Sequence, residues 1–309
     1  MQFPGFARIS VRPNPQERRF TSRKLRALVP PVYETMHEAR CHYNDADMND
    51  VRLLSMDFDG TLVMESDDPP FPEQLVETLN LIRANGVHLA LNTGRTIELV
   101  EAGLEKNQFP VRPDFALTTE RDVYRWNGTS WEAFGDWNSI CETRHNALFE
   151  YSAEFLKEIE RFALSLPGIR IHRESDRFVG VVTKTVEQMD KFCEFIDHRQ
   201  EGLPEFSYQR NLIYLRFCHL DYNKGTILAE LQRLLGVAPN ETFAVGDNFN
   251  DLPMLDSKFA RYLACPANSI PEVKNAIRTK EGFVAEAKSG EGVSQALRYF
   301  FPQIFENPP

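Results

Sequence analysis

The sequence predicts an α/β fold in which a parallel sheet forms the core and a smaller α+β module is inserted into it. In two parts of the chain, short apolar runs that end in polar residues alternate with amphipathic helical patterns, as in βαβ units. Between about Thr118 and Cys218 the pattern changes to hairpins alternating with helices. We therefore expect three regions: an N-terminal basic extension and linker at 1–50, a core at 51–118 and 219–309, and an inserted domain at 119–218.

The first core strand is the apolar run Leu53–Met56, which stops at Asp57-Phe58-Asp59-Gly60. In an extended strand, residues two apart point to the same side, so the carboxylates of Asp57 and Asp59 are expected to point together beyond the strand end. Gly60 allows the backbone to turn away without a Cβ clash. Because ligands of open α/β sheets bind at the carboxyl edge, this stretch is the candidate functional centre.

The other core elements follow in order. The first part of the core has a helix over 75–82 with Gly86 as its C-cap, a strand over 87–91 that stops at Asn92-Thr93-Gly94-Arg95, and a helix over 97–104. The second part has a helix over 227–235 preceded by Asn223-Lys224-Gly225-Thr226, a strand over 242–245 that ends at Gly246-Asp247, a strand over 261–264, and a last helix opened by 291–293.

The inserted segment shows its own elements. They are a hairpin over 123–131 with Asn-Gly at its centre, a helix over 155–166, a strand over 178–183, a helix over 189–196 and a hairpin over 206–217. Trp126, Trp131 and Trp137 could stack on a sugar ring, but packing of a small hairpin explains them better. Arg210, beside the tip of the second hairpin, is the best single candidate for a substrate contact from this segment.

Charge and composition exclude several classes of function. The net charge of -10, from 35 Lys+Arg against 45 Asp+Glu, repels phosphate polymers, so nucleic acid is not an expected partner. The five cysteines are scattered without a C-x-x-C pair, which argues against a disulfide framework or a zinc site and favours a reducing, cytoplasmic location. No run approaches the roughly 18 apolar residues of a membrane span. The composition leaves the oligomeric state open.

The N-terminal segment opposes the overall charge. Residues 1–33 carry several arginines and a single acid, Glu17, and serine is sparse. An arm that lies on the acidic body is the favoured interpretation, and an organelle transit peptide is the alternative.

Four clusters at strand ends or helix starts call for one explanation: Asp57-x-Asp59, Thr93-Gly94-Arg95, Lys224-Gly225, and Asp247 with Asp251. Together they suit phosphoryl transfer through a covalent intermediate, because Asp57 is ionised at neutral pH and could attack phosphorus directly. Asp59 could then donate and accept the protons. Magnesium, a hard cation that prefers oxygen ligands, would relieve the repulsion between the carboxylates and a phosphate dianion. Lys224 and Thr93 could bind the phosphate oxygens.

These stretches resemble motifs of the haloacid dehalogenase (HAD) superfamily, specifically its Cof-type subfamily IIB, which includes sucrose-phosphatase-like enzymes. The similar segments are D57-F-D-G-T-L-V, N92-T-G-R, N223-K-G-T-I-L and G246-D-N-F-N-D-L-P-M-L, followed by C265-P-A-N-S-I-P-E-V-K and G290-E-G-V-S-Q-A-L. The resemblance covers roughly 51–118 and 216–299. It implies a Rossmann-like core, the HAD fold, with the intervening segment as a C2-type cap domain.

The resemblance also implies roles for individual residues. Asp57 would be the nucleophile, Asp59 the general acid/base, and Thr93 and Lys224 the groups that stabilise the phosphate and the intermediate. Gly94, Arg95 and Asn250 belong to the expected phosphate and substrate site. Magnesium would be held by Asp57, the carbonyl of Asp59 and Asp247, with Asp251 and Asn250 supporting.

The expected activity is a magnesium-dependent phosphatase for a small phosphorylated metabolite, with a sugar phosphate favoured. Two alternatives remain open from the sequence. One is a phosphomutase or phosphotransferase, in which a sugar hydroxyl replaces water. The other is a non-catalytic module that binds a sugar phosphate, although the presence of Asp59 argues against it because a pure binder needs no proton shuttle.

Overall fold

The computed structural model of the chain describes residues 51–174, 176–200 and 202–306. The expectations for the basic extension at 1–50 lie outside the described residues. None of the helices in the described ranges combines the length and apolar character that a membrane span requires.

The secondary structure alternates strands and helices through most of the chain. The strands are β1 (Leu53–Met56), β2 (His88–Thr93), β3 (Phe115–Thr118), β4 (Asp122–Trp126), β5 (Trp131–Ala133), β6 (Arg170–Glu174), β7 (Arg177–Val182), β8 (Phe206–Asn211), β9 (Tyr214–His219), β10 (Thr242–Val245), β11 (Tyr262–Cys265) and β12 (Phe283–Val284). The helices are α1 (Glu73–Ala84), α2 (Ile97–Lys106), α3 (Trp137–Tyr151), α4 (Ala153–Ser165), α5 (Val186–Arg199), α6 (Lys224–Leu235), α7 (Pro271–Thr279), α8 (Ser289–Phe300) and α9 (Pro302–Glu306).

The main sheet has the strand order β12-β11-β10-β1-β2-β3-β4-β5. In this order, neighbouring strands from β12 through β3 pair in parallel. β4 and β5 extend the sheet at the β3 edge as antiparallel strands. β1 lies in the middle, with Met56 opposite Val245 of β10 and Leu91 of β2. The carboxyl ends of three neighbouring strands therefore meet at one point.

Helices cover both faces of the main sheet. For this reason the residues of its strands are apolar without alternation in the sequence. Leu54 and Met56 pack into an apolar layer with α1, α2 and α8, whereas Leu53 packs into the layer formed with α3, α6 and α7 on the other face. This is the doubly covered parallel sheet that the sequence predicts, and the predicted α/β fold class is confirmed.

A second, antiparallel sheet has the order β6-β7-β9-β8. One face of it packs on α4 and α5 through a separate apolar cluster that includes Val181, Phe192 and Leu215. Along β9, Leu215 and Phe217 belong to that cluster, so the alternate residues Tyr214 and Arg216 lie on the opposite face. The later strands of the segment predicted to be α+β, β6 to β9, thus form one sheet with a polar and an apolar face.

The hairpin over 123–131 is not part of this second sheet, contrary to the sequence prediction. It forms as predicted, with Gly128 at φ +103 in its turn, but β4 pairs with β3 and extends the main sheet. Val123 is fully buried in the core layer that also contains Phe115. Hairpin signals are local and indicate which strands pair with each other, not which sheet edge the hairpin joins. The domain limits of 119–218 otherwise stay a prediction.

Candidate active site at the carboxyl end of the main sheet

Asp57 is the first residue after β1, and its backbone N–H donates to the carbonyl of Val245 at 3.0 Å. The Nζ of Lys224 lies 2.5 Å from Asp57 Oδ1 and 2.6 Å from Asp251 Oδ1, and the ammonium group is completely buried. Three of the four sequence clusters therefore meet at one strand end. Burial would lower the pKa of Lys224, but the carboxylates of Asp251, Asp57 and Glu120 raise it above its ordinary value.

The residues around Lys224 fix its position at the start of α6. The side chain of Asn223 caps the helix by accepting from the N–H groups of Gly225 and Thr226, and Thr226 Oγ1 accepts from the Asn223 N–H. A side chain at Gly225 would meet Phe259 and the Pro253 carbonyl within 2.5 Å, so only glycine fits. Asn223 and Thr226 therefore form the cap of α6 together. Lys224 supplies the cation, and Gly225 permits the close contact with the neighbouring loop.

The loop after β10 is built around Asp251. Its Oδ2 accepts from the backbone N–H groups of Asp247 and Asn248, both at 2.8 Å. Its carboxyl group packs over Gly246, where a Cβ atom would come within 2.4 Å of the Asp251 Cγ. Asp251 therefore holds the loop that presents Asp247 while it also pairs with Lys224.

Carboxylate oxygens of Asp57, Asp247 and Asp251 all lie within 4.8 Å of one another, and the three residues are buried. Burial and the charge of Asp251 raise the pKa of Asp57 well above its usual value, against the opposing effect of Lys224. The same two causes raise the pKa of Asp247 to about 7. Buried carboxylates that repel one another suit a divalent cation with oxygen ligands.

These residues therefore fit the magnesium ion that the sequence predicts, with Asp57 and Asp247 as the better ligands. Both oxygens of Asp251 are already engaged, one by Lys224 and the other by the two backbone N–H groups. The supporting role of Asp251 at the metal site stays a prediction, and these contacts suit it. The carboxylate of Asp59 is not part of the cluster, and its role through the backbone carbonyl stays a prediction.

Asp59 is held by Arg95, which follows β2. Arg95 Nε donates to Asp59 Oδ2 at 2.7 Å and Nη2 donates to Oδ1 at 2.5 Å, a bidentate pair. The guanidinium also lies over the Phe58 ring, 5.0 Å from its centroid. The side chain of Asp59 remains 41% exposed, so a ligand can still reach it. In this arrangement Arg95 orients the predicted general acid/base.

The turn after Asp59 is fixed by two residues to which sequence reasoning gave no role. The carbonyl of Gly60 accepts from Asn268 Nδ2 at 2.7 Å and from Ser289 Oγ at 3.1 Å. Gly60 has φ +81, and a Cβ atom there would lie 2.7 Å from Asp247 Oδ2. Asn268 falls in the C-terminal segment that begins at Cys265, which is the signal that could have drawn attention to it, whereas Ser289 directly precedes the segment that begins at Gly290.

Thr93 and Gly94 lie at the end of β2, next to β1. Thr93 is buried, and its Oγ1 accepts from the backbone N–H of Arg95 at 3.2 Å. The preceding residue, Asn92, donates to the Lys224 carbonyl at 2.9 Å and so ties the end of β2 to the start of α6. Asn92 was quoted in a motif but was given no role from the sequence.

Asn250 contacts a residue that sequence reasoning missed. Its Nδ2 donates to Glu120 Oε1 at 2.7 Å, and that oxygen lies 3.7 Å from the Cβ position of Gly94. Burial raises the pKa of Glu120, and Lys224 and the Asn250 hydrogen bond oppose this rise. The stretch Thr118–Arg121 has neither the glycine nor the asparagine of a tight turn. The sequence therefore does not indicate the turn that directs the Glu120 carboxyl group inwards.

Arg210 lies against the loop that carries Asn250. Its guanidinium pairs with Asp190 at 2.7 Å and lies 4.9 Å from the centroid of the ring of Phe249, the residue before Asn250. A substrate contact for Arg210 stays a prediction. Of the tryptophans, Trp137 is buried in the core and Trp126 and Trp131 pack on each other at 5.4 Å, as the packing interpretation expects.

The fold and the buried acidic site define the chain as a hydrolase of the haloacid dehalogenase class. The family model described as haloacid dehalogenase-like hydrolase matches residues 114–297, more than half of the chain, and the chain belongs to this family. The superfamily resemblance and the phosphatase class of enzyme predicted from the sequence are confirmed.

Two relatives and two solved structures show how far the similarity extends. The phosphoglycolate phosphatase of Methanoculleus marisnigri is 28% identical over 82% of this chain and 99% of its own length. The 5-amino-6-(5-phospho-D-ribitylamino)uracil phosphatase YitU of Bacillus subtilis is 23% identical over 81% and 97%. The sucrose-phosphatase of Synechocystis sp. PCC6803, solved with sucrose and phosphate, has a TM-score of 0.61 at 17% identity, over 81% of this chain and 98% of that one. The phosphatase BT1666 of Bacteroides thetaiotaomicron has a TM-score of 0.57 at 18% identity, over 85% and 99%.

Proposed function

We propose that the protein is a magnesium-dependent phosphatase that hydrolyses a small phosphorylated metabolite, a sugar phosphate, through an aspartyl-phosphate intermediate on Asp57. The observation that carries the proposal is the contact of Asp57 with the buried Lys224 beside Asp247 and Asp251. A nucleophilic carboxylate, a cation and two further acids at one strand end are the groups that this reaction needs.

The residues suit a two-step reaction. An oxygen of Asp57 attacks phosphorus, the bond to the leaving oxygen breaks, and Asp59 gives a proton to that oxygen. Asp59 then takes a proton from water, the water oxygen bonds to phosphorus, and the Asp57–phosphorus bond breaks to release inorganic phosphate. Lys224 would stabilise negative charge on the phosphoryl oxygens, and Arg95 would hold Asp59 in place. When bound, Mg²⁺ would supply positive charge that balances the carboxylates and the phosphate.

Two observations support a sugar phosphate as the substrate. The sucrose-phosphatase structure shares the fold over most of both chains. The polar face of the second sheet carries hydroxyl and charged groups such as Tyr214 and Arg216, which suit a polyhydroxyl leaving group. We propose that residues 119–218 without the β4–β5 hairpin act as the cap. A cytoplasmic location fits the free, buried state of Cys141, Cys193, Cys218 and Cys265.

The test is phosphate release from a panel of small phosphate esters in the presence of Mg²⁺. We expect Asp57→Asn to lower kcat by about 1,000-fold or more, because the variant lacks the nucleophile. Asp59→Asn should slow turnover strongly while circular dichroism stays unchanged. The matched control is Glu77→Gln on the exposed side of α1, which should turn over like the wild type.

The products separate the alternatives. Release of inorganic phosphate supports the phosphatase, whereas an isomerised sugar phosphate would show a phosphomutase. Ligand binding without turnover across the panel would show a binding module. Native turnover by Asp57→Asn would contradict the assignment of the nucleophile.

A further inference from the structure

The turn between β3 and β4 holds Glu120 in an unfavourable backbone conformation. Thr119 and Glu120 have φ +52 and +60, and the Arg121 N–H donates to the Thr118 carbonyl at 2.9 Å. Two consecutive left-handed residues in such a turn are normally glycine or asparagine, because a Cβ atom is strained there. Backbone strain of this kind is concentrated at functional sites, and it therefore points to a functional role for the buried Glu120.

Glu120 is buried, with 5% exposure, and its carboxylate contacts Asn250. Oε1 accepts from Asn250, and no hydrogen bond to Oε2 is found among residues 51–174, 176–200 and 202–306. In the same part of the chain, Oδ1 of Asn250 is buried without any hydrogen-bond partner. Buried polar atoms are nearly always hydrogen-bonded. The unpaired Asn250 Oδ1 beside the Glu120 carboxylate therefore calls for a ligand that donates hydrogen bonds.

The position of Glu120 indicates which part of a substrate would donate these hydrogen bonds. On one side, its Oε1 lies close to Gly94 of the phosphate site, and its charge acts on Lys224. On the other side, Arg216 lowers the pKa of Glu120 against the larger effect of burial. Glu120 also acts on Tyr214, which lies with Arg216 on the polar face of the second sheet. Glu120 thus lies between the phosphoryl position and the polar face of the proposed cap, where we place the leaving group.

We propose that Glu120 is a specificity-determining residue that binds a hydroxyl or ammonium group of the leaving group and excludes leaving groups that carry a carboxylate. This inference rests on the proposed phosphatase function. A carboxylate can accept hydrogen bonds from a hydroxyl group or a cation. A second carboxylate at this buried position would meet the like charge of Glu120, and the neighbouring Arg216 is already paired with Glu174.

Three substrates with two-carbon leaving groups test the proposal: 2-hydroxyethyl phosphate, 2-aminoethyl phosphate and 2-phosphoglycolate. We expect the wild type to hydrolyse the first two with a higher kcat/KM than the third. Glu120→Gln keeps the shape and the acceptor for Asn250 but removes the charge. It should reduce the ratio of kcat/KM for 2-hydroxyethyl phosphate over 2-phosphoglycolate by about tenfold or more, and it should lower kcat/KM for 2-aminoethyl phosphate.

Two controls separate specificity from structure. Glu120→Asp keeps the charge and should keep the order of the three substrates, even if its rates are lower. Glu77→Gln should leave every ratio unchanged. A wild type that prefers 2-phosphoglycolate, or a Glu120→Gln variant that changes all three substrates by one factor, would overturn the specificity role while leaving the phosphatase intact. Failure of the folded wild type to release phosphate from these esters or from p-nitrophenyl phosphate would overturn both.

Discussion

The ammonium nitrogen of Lys224 lies 2.5 Å from an oxygen of Asp57, although 167 positions separate the two residues in the chain. Asp57 follows the central strand β1, and Lys224 is the first residue of α6. The contact exists because the carboxyl end of β1 and the capped start of α6 meet at one edge of the main sheet. A fully buried cation among carboxylates makes this edge both reactive and sensitive to the loss of any one charge.

Replacement of Lys224 by methionine should destabilise the protein. The side chain keeps its volume, but the buried carboxylates of Asp57 and Asp251 lose their counter-charge. We expect the free energy of unfolding to fall by about 3–5 kcal/mol in metal-free buffer, measured by urea denaturation. Adding Asp57→Asn should restore part of the loss. Lys157→Met, which removes an exposed pair with Glu154, should cost less than about 1 kcal/mol, and an equal loss in both variants would contradict the prediction.

Gly60→Ala and Gly86→Ala form a matched pair. Both glycines have nearly the same backbone conformation, with φ +81 and +80, so alanine should cost each about 1 kcal/mol of backbone strain. A Cβ atom at Gly60 would also lie 2.7 Å from Asp247 Oδ2, whereas nothing lies within 4 Å of one at Gly86. We expect Gly60→Ala to lose about 100-fold or more in kcat/KM and Gly86→Ala to keep its activity. Equal kinetics for the two variants would show that this contact does not position Asp247.

The affinity for Mg²⁺ should depend on pH through Asp247. In the metal-free protein, burial and Asp251 raise the pKa of this carboxyl to about 7, so a proton competes with the cation below that pH. The apparent affinity should rise with pH by up to about tenfold per pH unit below 7 from Asp247 alone, and the raised pKa of Asp57, the other expected ligand, adds to this dependence. Calorimetric titration with Mg²⁺ between pH 5.5 and 8.5 measures this. Asp247→Asn should abolish most of the binding, and a pH-independent affinity would refute the role of Asp247.

His145 should make the protein less stable in acid. Burial lowers its pKa to about 3, against an ordinary value of 6.5, because its ring is enclosed between α3 and β9 and accepts from the His219 N–H at 3.2 Å. The unfolded chain binds this proton and the folded chain does not, so the contribution of His145 to stability is present above about pH 6.5 and is lost as the pH falls towards 3.

The measurement for His145 compares urea unfolding of the wild type and His145→Gln at pH 4.5, 5.5, 6.5 and 7.5. The difference in unfolding free energy should shrink by about 1.4 kcal/mol per unit as the pH falls below 6.5. Asp247 contributes with the opposite sign, because a carboxyl group with a raised pKa loses stability as the pH rises from about 4 to 7. Its contribution cancels in the comparison. A difference that stays constant with pH would contradict a neutral buried His145.

The elements that the sequence predicts best are those whose signal is local. The apolar run before Asp57, the helix that follows Asn223-Lys224-Gly225-Thr226 and the strand before Gly246 each define their own structure within a few residues, and the observed bounds agree closely. β3 and α3 are weakly patterned, and the sequence predicts neither of them. Their structure depends on packing against the main sheet, which a local pattern does not contain.

The sequence by itself determined the parallel core and the four polar clusters at its strand ends, because parallel strands bring their carboxyl ends to one edge whatever the loops contain. The tertiary structure alone decided which groups meet across that edge. It placed the hairpin of β4 on the main sheet, turned Arg210 towards Asp190, and brought Glu120 to Asn250. These contacts depend on distances between segments far apart in the chain, and such distances are set by the packing of whole elements.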